Sequence, residues 1–169
     1  LDNGSPGYQL QYETEEKETK LGNYPGLWEF PNYALIVAPD DSCKAYGIEP
    51  GLRKDVATRF SGFNIADGKI TGFDYNLWTD YKFSKQEFLA TLKYSFNQHY
   101  NGNRCPFLVG AHTQYYHPTY QQNMPRVTTR EAQEAIEEFI DYVLSKPDVR
   151  IVPIRKILEW CEQPVPLKK

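Results

Sequence analysis

Histidine is scarce in this chain of 169 residues: there are three, beside three cysteines and a single methionine. Cys43, Cys105 and Cys161 are too few, and odd in number, for a framework of internal disulfides. They allow one bridge plus a free thiol, or a partner elsewhere, and do not fix the compartment. Basic residues are not in excess either. Nineteen Lys and Arg against 22 Asp and Glu leave a formal charge of −3, whereas nucleic-acid binding calls for a basic patch. No apolar run approaches the roughly 18 residues of a membrane span. Leu1-Asp-Asn-Gly-Ser-Pro6 is polar and turn-like, unlike a secretory leader, so the chain is expected to begin after any targeting segment. The charge run Tyr12–Lys20 reads as a solvated loop. The length suits one domain with a real core and is short for two ordinary ones.

Aromatic residues are abundant. Thirteen Tyr, nine Phe and three Trp make up 15% of the chain, so surface rings are expected as well as core ones. Tyr and Trp combine an apolar body with a polar edge. Such surfaces suit sugar rings, which present flat C–H faces between hydroxyls.

Glycine and proline punctuate residues 1–26, which read as irregular. Leu27–Phe30 and Tyr33–Val37 read as a strand interrupted by Pro31. Residues 39–82 are rich in Pro, Gly and Asp without a long helical period, and read as an irregular surface insertion with one short helix near Lys54–Phe60. Ser84 followed by Glu87 is a capping box, and Phe88, Leu92 and Phe96 recur at helical spacing towards His99. Asn101-Gly102-Asn103 should end that helix. Thr128 and Glu131 repeat the signal, ahead of a broad stripe of Ala132, Ala135, Ile136, Phe139, Ile140, Val143 and Leu144. Pro106–Ala111 reads as a strand buried on both faces, Val149–Val152 as another, and Pro153 opens a terminal helix over Ile154–Cys161. Strands alternating with helices predict parallel pairing and an α/β architecture. Three or four strands are too few for a closed barrel, so the pattern resembles the second half of something larger.

His112 and His117 are five residues apart in His112-Thr-Gln-Tyr-Tyr-His117-Pro. On a helix that spacing separates the rings by about 140°, and on a strand it sends them to opposite faces. Only a loop could join them at a metal; a small hydrolase with its own metal at His112, His117 and a nearby Asp is one reading. Taken alone, His112 ends a predicted strand, and the carboxyl ends of strands are where α/β sites assemble. It is either a site residue or a structurally hydrogen-bonded histidine. His117 reads as a loop residue, and His99 as a helix-end residue near the last carbonyls.

Several of these stretches resemble one family. They are Asn97-Gln-His-Tyr-Asn-Gly-Asn-Arg-Cys-Pro-Phe-Leu-Val-Gly-Ala-His112, Asp148-Val-Arg-Ile-Val-Pro153, Ile157-Leu-Glu-Trp160 running to Pro164, and upstream Tyr24-Pro-Gly-Leu-Trp-Glu-Phe-Pro31. Together they look like the C-terminal part of the polysaccharide deacetylases, in the chitin-deacetylase-like branch. The likeness covers residues 24–38 and 82–166. It implies that residues 1–169 form the C-terminal portion of one distorted (β/α) barrel, with 39–82 inserted. It also implies metal-assisted removal of acetyl groups from a glycan such as chitin or peptidoglycan, and a secreted, periplasmic or cell-surface location. His112 matches the family's general acid. Trp28 and Glu29 match the motif that walls the acetyl pocket, and Tyr115 falls where the branch has a further aromatic, a candidate sugar contact. The family's Thr-Phe-Asp-Asp, His-(Ser or Thr)-x-x-His-Pro and Arg-x-Pro-Tyr motifs are absent. Residues 112–118 imitate the second with one residue too many between the histidines. The divalent metal, expected to be zinc, and the base would then belong to an N-terminal half of the barrel outside this chain. A carbohydrate-binding module or pseudo-enzyme of the same fold is the alternative.

Overall fold

Ser84 and Thr128 open the two longest helices. Each side chain accepts from the backbone N–H three residues on, while Glu87 or Glu131 reaches back to the cap's own N–H. These reciprocal bonds satisfy donors that a helix start leaves orphaned. The computed structural model describes residues 25–28, 30–119 and 124–165. In order, its elements are β1 (Leu35–Ile36), a 3-10 turn (Cys43–Tyr46), α1 (Leu52–Arg59) and β2 (Lys69–Ile70). There follow a π-helical turn (Asn76–Asp80), α2 (Lys85–Asn101), a 3-10 turn (Thr113–Tyr116), α3 (Thr129–Leu144) and α4 (Ile154–Glu162). The chain falls into two compact units, Asn32–Ile151 and a second of Leu1–Pro31 with Val152–Lys169.

Within Asn32–Ile151, α2 and α3 pack on one another. Ala132, Ala135, Phe139 and Val143 form the buried stripe of α3. Ile140 and Leu144, expected on that stripe, are exposed, so the covered face is narrower than the apolar pattern. α2 is more deeply set, burying Phe88, Leu89, Ala90, Thr91, Leu92, Ser95 and Phe96. Phe96 meets Phe139 and Tyr142 edge-on at 6.3 and 6.2 Å.

The segment expected as a surface insertion is core instead. Leu52, Val56, Phe63, Ile70, Leu77, Trp78 and Tyr81 are all buried. Short elements joined by turns carry these side chains, so no long window shows a period although each piece buries its apolar residues. Trp78 stacks on Phe88 with ring centroids 4.0 Å apart and planes at 10°. Arg53 ties the segment back on itself, donating to the carbonyls of Val37 (2.9 Å), Ile65 (3.1 Å) and Ala66 (3.0 Å). The return makes the pairing antiparallel, Leu35 opposite Ile70, where parallel strands were expected.

Pro106–Ala111 also differs from the expectation. Residues 106–110 are half-buried, Ala111 is exposed, and the segment meets a neighbour at one parallel bridge, Phe73 with Gly110. Pro106 has no N–H to give, and residues 72–74 run at once into the π-helical turn, so the ladder stops after one rung. No strand forms at Val149–Val152, where the Val149 N–H closes a turn on Lys146.

In the other unit, α4 extends over Ile154–Glu162, with Pro153 as its cap rather than its first residue. Ile157 and Leu158 are half-buried, and Trp160 Nε1 donates to the carbonyl of Val165 at 2.9 Å. Residues 1–24, with the charge run Tyr12–Lys20, lie outside the described residues.

Glu87 serves more than its cap. Its carboxylate takes two bonds from Arg59 (2.9 and 3.0 Å) and one from Arg126 (2.7 Å). Burial pushes its pKa up, but Arg59, the Ser84 N–H and Arg126 outweigh burial and hold it below the ordinary value. A carboxyl depressed in the native state stabilises the fold above its unfolded pKa, and that contribution is lost as pH falls through the native value. Glu87→Gln is therefore expected to lose about 2–3 kcal/mol at neutral pH and to converge on the parent as pH falls through the native value. Urea unfolding across a pH series, followed by circular dichroism, measures both.

Candidate active site

The single rung between Phe73 and Gly110 positions the site. Asp74 N–H donates to the Gly110 carbonyl at 3.0 Å, and Gly110 N–H donates to the Gly72 carbonyl at 3.1 Å. Two residues beyond Gly110, His112 faces the Asp74 side chain. Asp74 Oδ2 accepts from the His112 backbone N–H at 2.8 Å, and Oδ1 lies 2.7 Å from His112 Nδ1. One carboxylate thus holds both the backbone and the ring of the same histidine. A carboxylate oxygen accepts, so Nδ1 is the donor and Nε2 is the nitrogen left for proton transfer.

The two partners differ sharply in exposure. The Asp74 side chain is 0% exposed, while that of His112 is 38% exposed. A buried acid behind a half-exposed imidazole is the arrangement that orients a proton-transferring histidine.

Beneath the pair lies a second line of support. Trp78 Nε1 donates to Tyr116 Oη at 3.3 Å. Burial raises the Tyr116 pKa well above the ordinary phenol value, and the neighbouring Asp74 carboxylate adds to the rise, despite the Trp78 donor. Tyr116 therefore stays a neutral hydroxyl beside Asp74. Trp78 itself is aimed by the π-helical turn, closed by the Tyr81 N–H on the Asn76 carbonyl at 2.8 Å. Such widened turns occur often at functional sites.

The Thr113–Tyr116 turn separates the two histidines of the 112–117 stretch. His112 caps its start and His117 its end, where the exposed His117 ring engages Thr119 Oγ1 at 2.9 Å. His99, in the last turn of α2, places Nδ1 3.1 Å from Cys105 Sγ, with its ring edge-on to Tyr33 and Phe107. Cys43, Cys105 and Cys161 are all free thiols.

Tyr115 is buried, 8% exposed, with its ring edge-on to His112 at 6.0 Å. It backs the imidazole. Trp28 is half-buried in the other unit, and Glu29 lies outside the described residues. Among the described residues no three His, Cys, Asp or Glu side chains converge as a metal site.

Comparison with protein-family models, curated proteins and solved structures finds no match.

Asp74 is the site residue that sequence reasoning missed. The available signal was an acid between two aromatics, Phe73-Asp74-Tyr75, directly ahead of Leu77 and Trp78. An acid in such company calls for a buried partner.

Proposed function

We propose that this chain is the C-terminal part of a metal-dependent hydrolase that removes N-acetyl groups from a polysaccharide such as chitin or peptidoglycan, with His112 as general acid. The observation that carries the reading is the grip of buried Asp74 on both the N–H and Nδ1 of His112. Asp74 fixes the ring orientation and stabilises positive charge on it. His112 can then hold a proton at Nε2 and deliver it to a departing amine. The resemblance carried by Asn97–His112 and Tyr24–Pro31 supplies the substrate class.

The described residues do not fit the divalent metal that this family uses. The proposal therefore assigns its ligands, and the base, to the N-terminal half of a (β/α) barrel. An acetylated wall or matrix glycan would place the protein at the cell surface, in the periplasm or outside the cell.

The 169-residue chain alone is expected to release no acetate from an N-acetylated chito-oligosaccharide in the presence of zinc. The intact protein, with the Thr-Phe-Asp-Asp and paired-histidine motifs upstream, is expected to release it. Acetate release by the chain alone would overturn the division of the site. An intact protein that binds zinc but releases no acetate would overturn the activity.

A further inference from the structure

Phe73 and Tyr75 flank Asp74 in sequence and, like it, lie against His112, but differ from it in exposure. Asp74 is 0% exposed, whereas Phe73 and Tyr75 are 43% and 38% exposed. The chain steps here from the bridge at Phe73 into the turn that follows, where Asp74 and Tyr75 are already helical, Tyr75 at φ −62° and ψ −39°. The same step that buries the acid beside His112 thus brings two aromatic rings to the surface around it.

Their geometry is specific. The Phe73 ring centroid lies 6.0 Å from the His112 ring and that of Tyr75 lies 5.4 Å from it. The two aromatic rings are 6.3 Å apart and inclined by 34°, so they form a shallow, bent platform. Phe73 is held in place, because its ring occupies the space over Gly110 that any side chain there would enter. Tyr75 is anchored through its carbonyl, which accepts from Thr79 Oγ1 at 2.7 Å. Exposed rings on a fixed backbone keep little conformational freedom to lose on binding.

We infer that Phe73 and Tyr75 are the sugar-stacking platform of the His112 site, seating the pyranose ring whose acetamido group the imidazole addresses. A molecule that reaches His112 Nε2 must lie along these two rings, because they line the same half-exposed imidazole. The platform offers apolar faces with a phenol hydroxyl and an imidazole N–H at its margin. A pyranose offers the complement, C–H faces rimmed by hydroxyl and amide groups. The inference rests on the proposal that His112 acts on a sugar polymer, and adds the residues that hold the ring.

The test is binding of a tetramer of N-acetylglucosamine to the 169-residue chain, by titration calorimetry or by shifts of the His112 resonances. The parent chain is expected to bind, and Phe73→Ala to weaken binding about tenfold, the equivalent of one good aromatic contact. Phe73→Tyr keeps the ring and should keep the affinity. Gly110→Ala, which displaces the Phe73 ring, should weaken binding with Phe73 still present. In the intact enzyme Phe73→Ala should raise KM with little change in kcat.

No binding by the parent chain, or unchanged affinity in both Phe73→Ala and Tyr75→Ala, would overturn the platform. Loss of binding in the alanine variants together with loss of their near-ultraviolet dichroism would mark an unfolded protein, and Phe73→Tyr then decides, since weakened binding by that folded variant also overturns the platform. The deacetylase proposal fails separately: binding that depends on Phe73, in an intact protein that releases no acetate, keeps the platform and removes the reaction.

Discussion

His112→Ala in the intact protein is expected to lower kcat by about 100- to 10,000-fold, the range lost when a positioned acid or base is removed. On the proposed mechanism KM for the acetylated oligosaccharide should change little, because the acid would work on the departing amine and not on the sugar rings. Asp74→Asn should approach the same loss without touching substrate. The carboxylate accepts at both oxygens, from the His112 N–H and from Nδ1. An amide of the same shape has only one accepting oxygen, and its NH2 facing Nδ1 would favour the tautomer with the hydrogen on Nε2 and none on Nδ1. The imidazolium would also lose its counter-charge. The pH profile separates this from simple damage: Asp74→Asn should displace the limb of the kcat profile that belongs to His112, and Asp74→Glu should restore part of the rate. A rate within threefold of the parent for either His112→Ala or Asp74→Asn would remove the pair from the mechanism.

The largest effect on stability is expected at Trp78. Its ring is fully buried and stacked on Phe88 at 4.0 Å, and its N–H donates to Tyr116. Trp78→Ala opens a cavity that the fixed neighbours α2 and the Thr113–Tyr116 turn would fill poorly, and should cost about 3–5 kcal/mol. It also leaves Tyr116 without its donor. Against a total of about 5–15 kcal/mol for an ordinary domain, that loss brings the fold near its limit. Trp78→Phe keeps a ring against Phe88 and should cost about 1–2 kcal/mol, mainly the hydrogen bond and some volume. Guanidinium unfolding followed by circular dichroism distinguishes the two. A midpoint for Trp78→Ala equal to the parent's would mean that Trp78 does not anchor the core.

These two experiments address one structure from opposite ends. Trp78 reaches the site through Tyr116, which lies beside Asp74, and Asp74 holds His112. A substitution in the core should therefore register in the orientation of the imidazole. Trp78→Phe is the variant in which that coupling is measurable, as it is expected to stay folded.

The helices were readable in advance because their signals are local. Ser84 with Glu87, and Thr128 with Glu131, lie three residues apart and close their bonds within one turn. Any chain carrying them in front of an apolar stripe has the start of a helix written in those few residues. The opening of a loop after residue 111, and the separation of His112 from His117, follow from equally short spacings. The role proposed for His112 rests on the resemblance of residues 97–112, again contiguous. The misread stretch is 39–82. Its short turns hide the burial of Phe63, Leu77 and Trp78 from any window of helical length, and the partners of Trp78, Phe88 and Tyr116, lie on α2 and the 113–116 turn.

Asp74 belongs to the same class of features. Its partner is 38 residues away, and the antiparallel pairing of Leu35 with Ile70 spans a comparable distance. Contacts at that range depend on how Arg53, the Gly110 rung and the π-helical turn fold the chain back, and each of those is itself a tertiary contact. Sequence alone therefore sets where the helices start and which histidine stands at the end of an apolar segment. Folding alone decides that an aspartate from a supposed loop becomes that histidine's buried partner, because only chain closure brings the two within 2.7 Å.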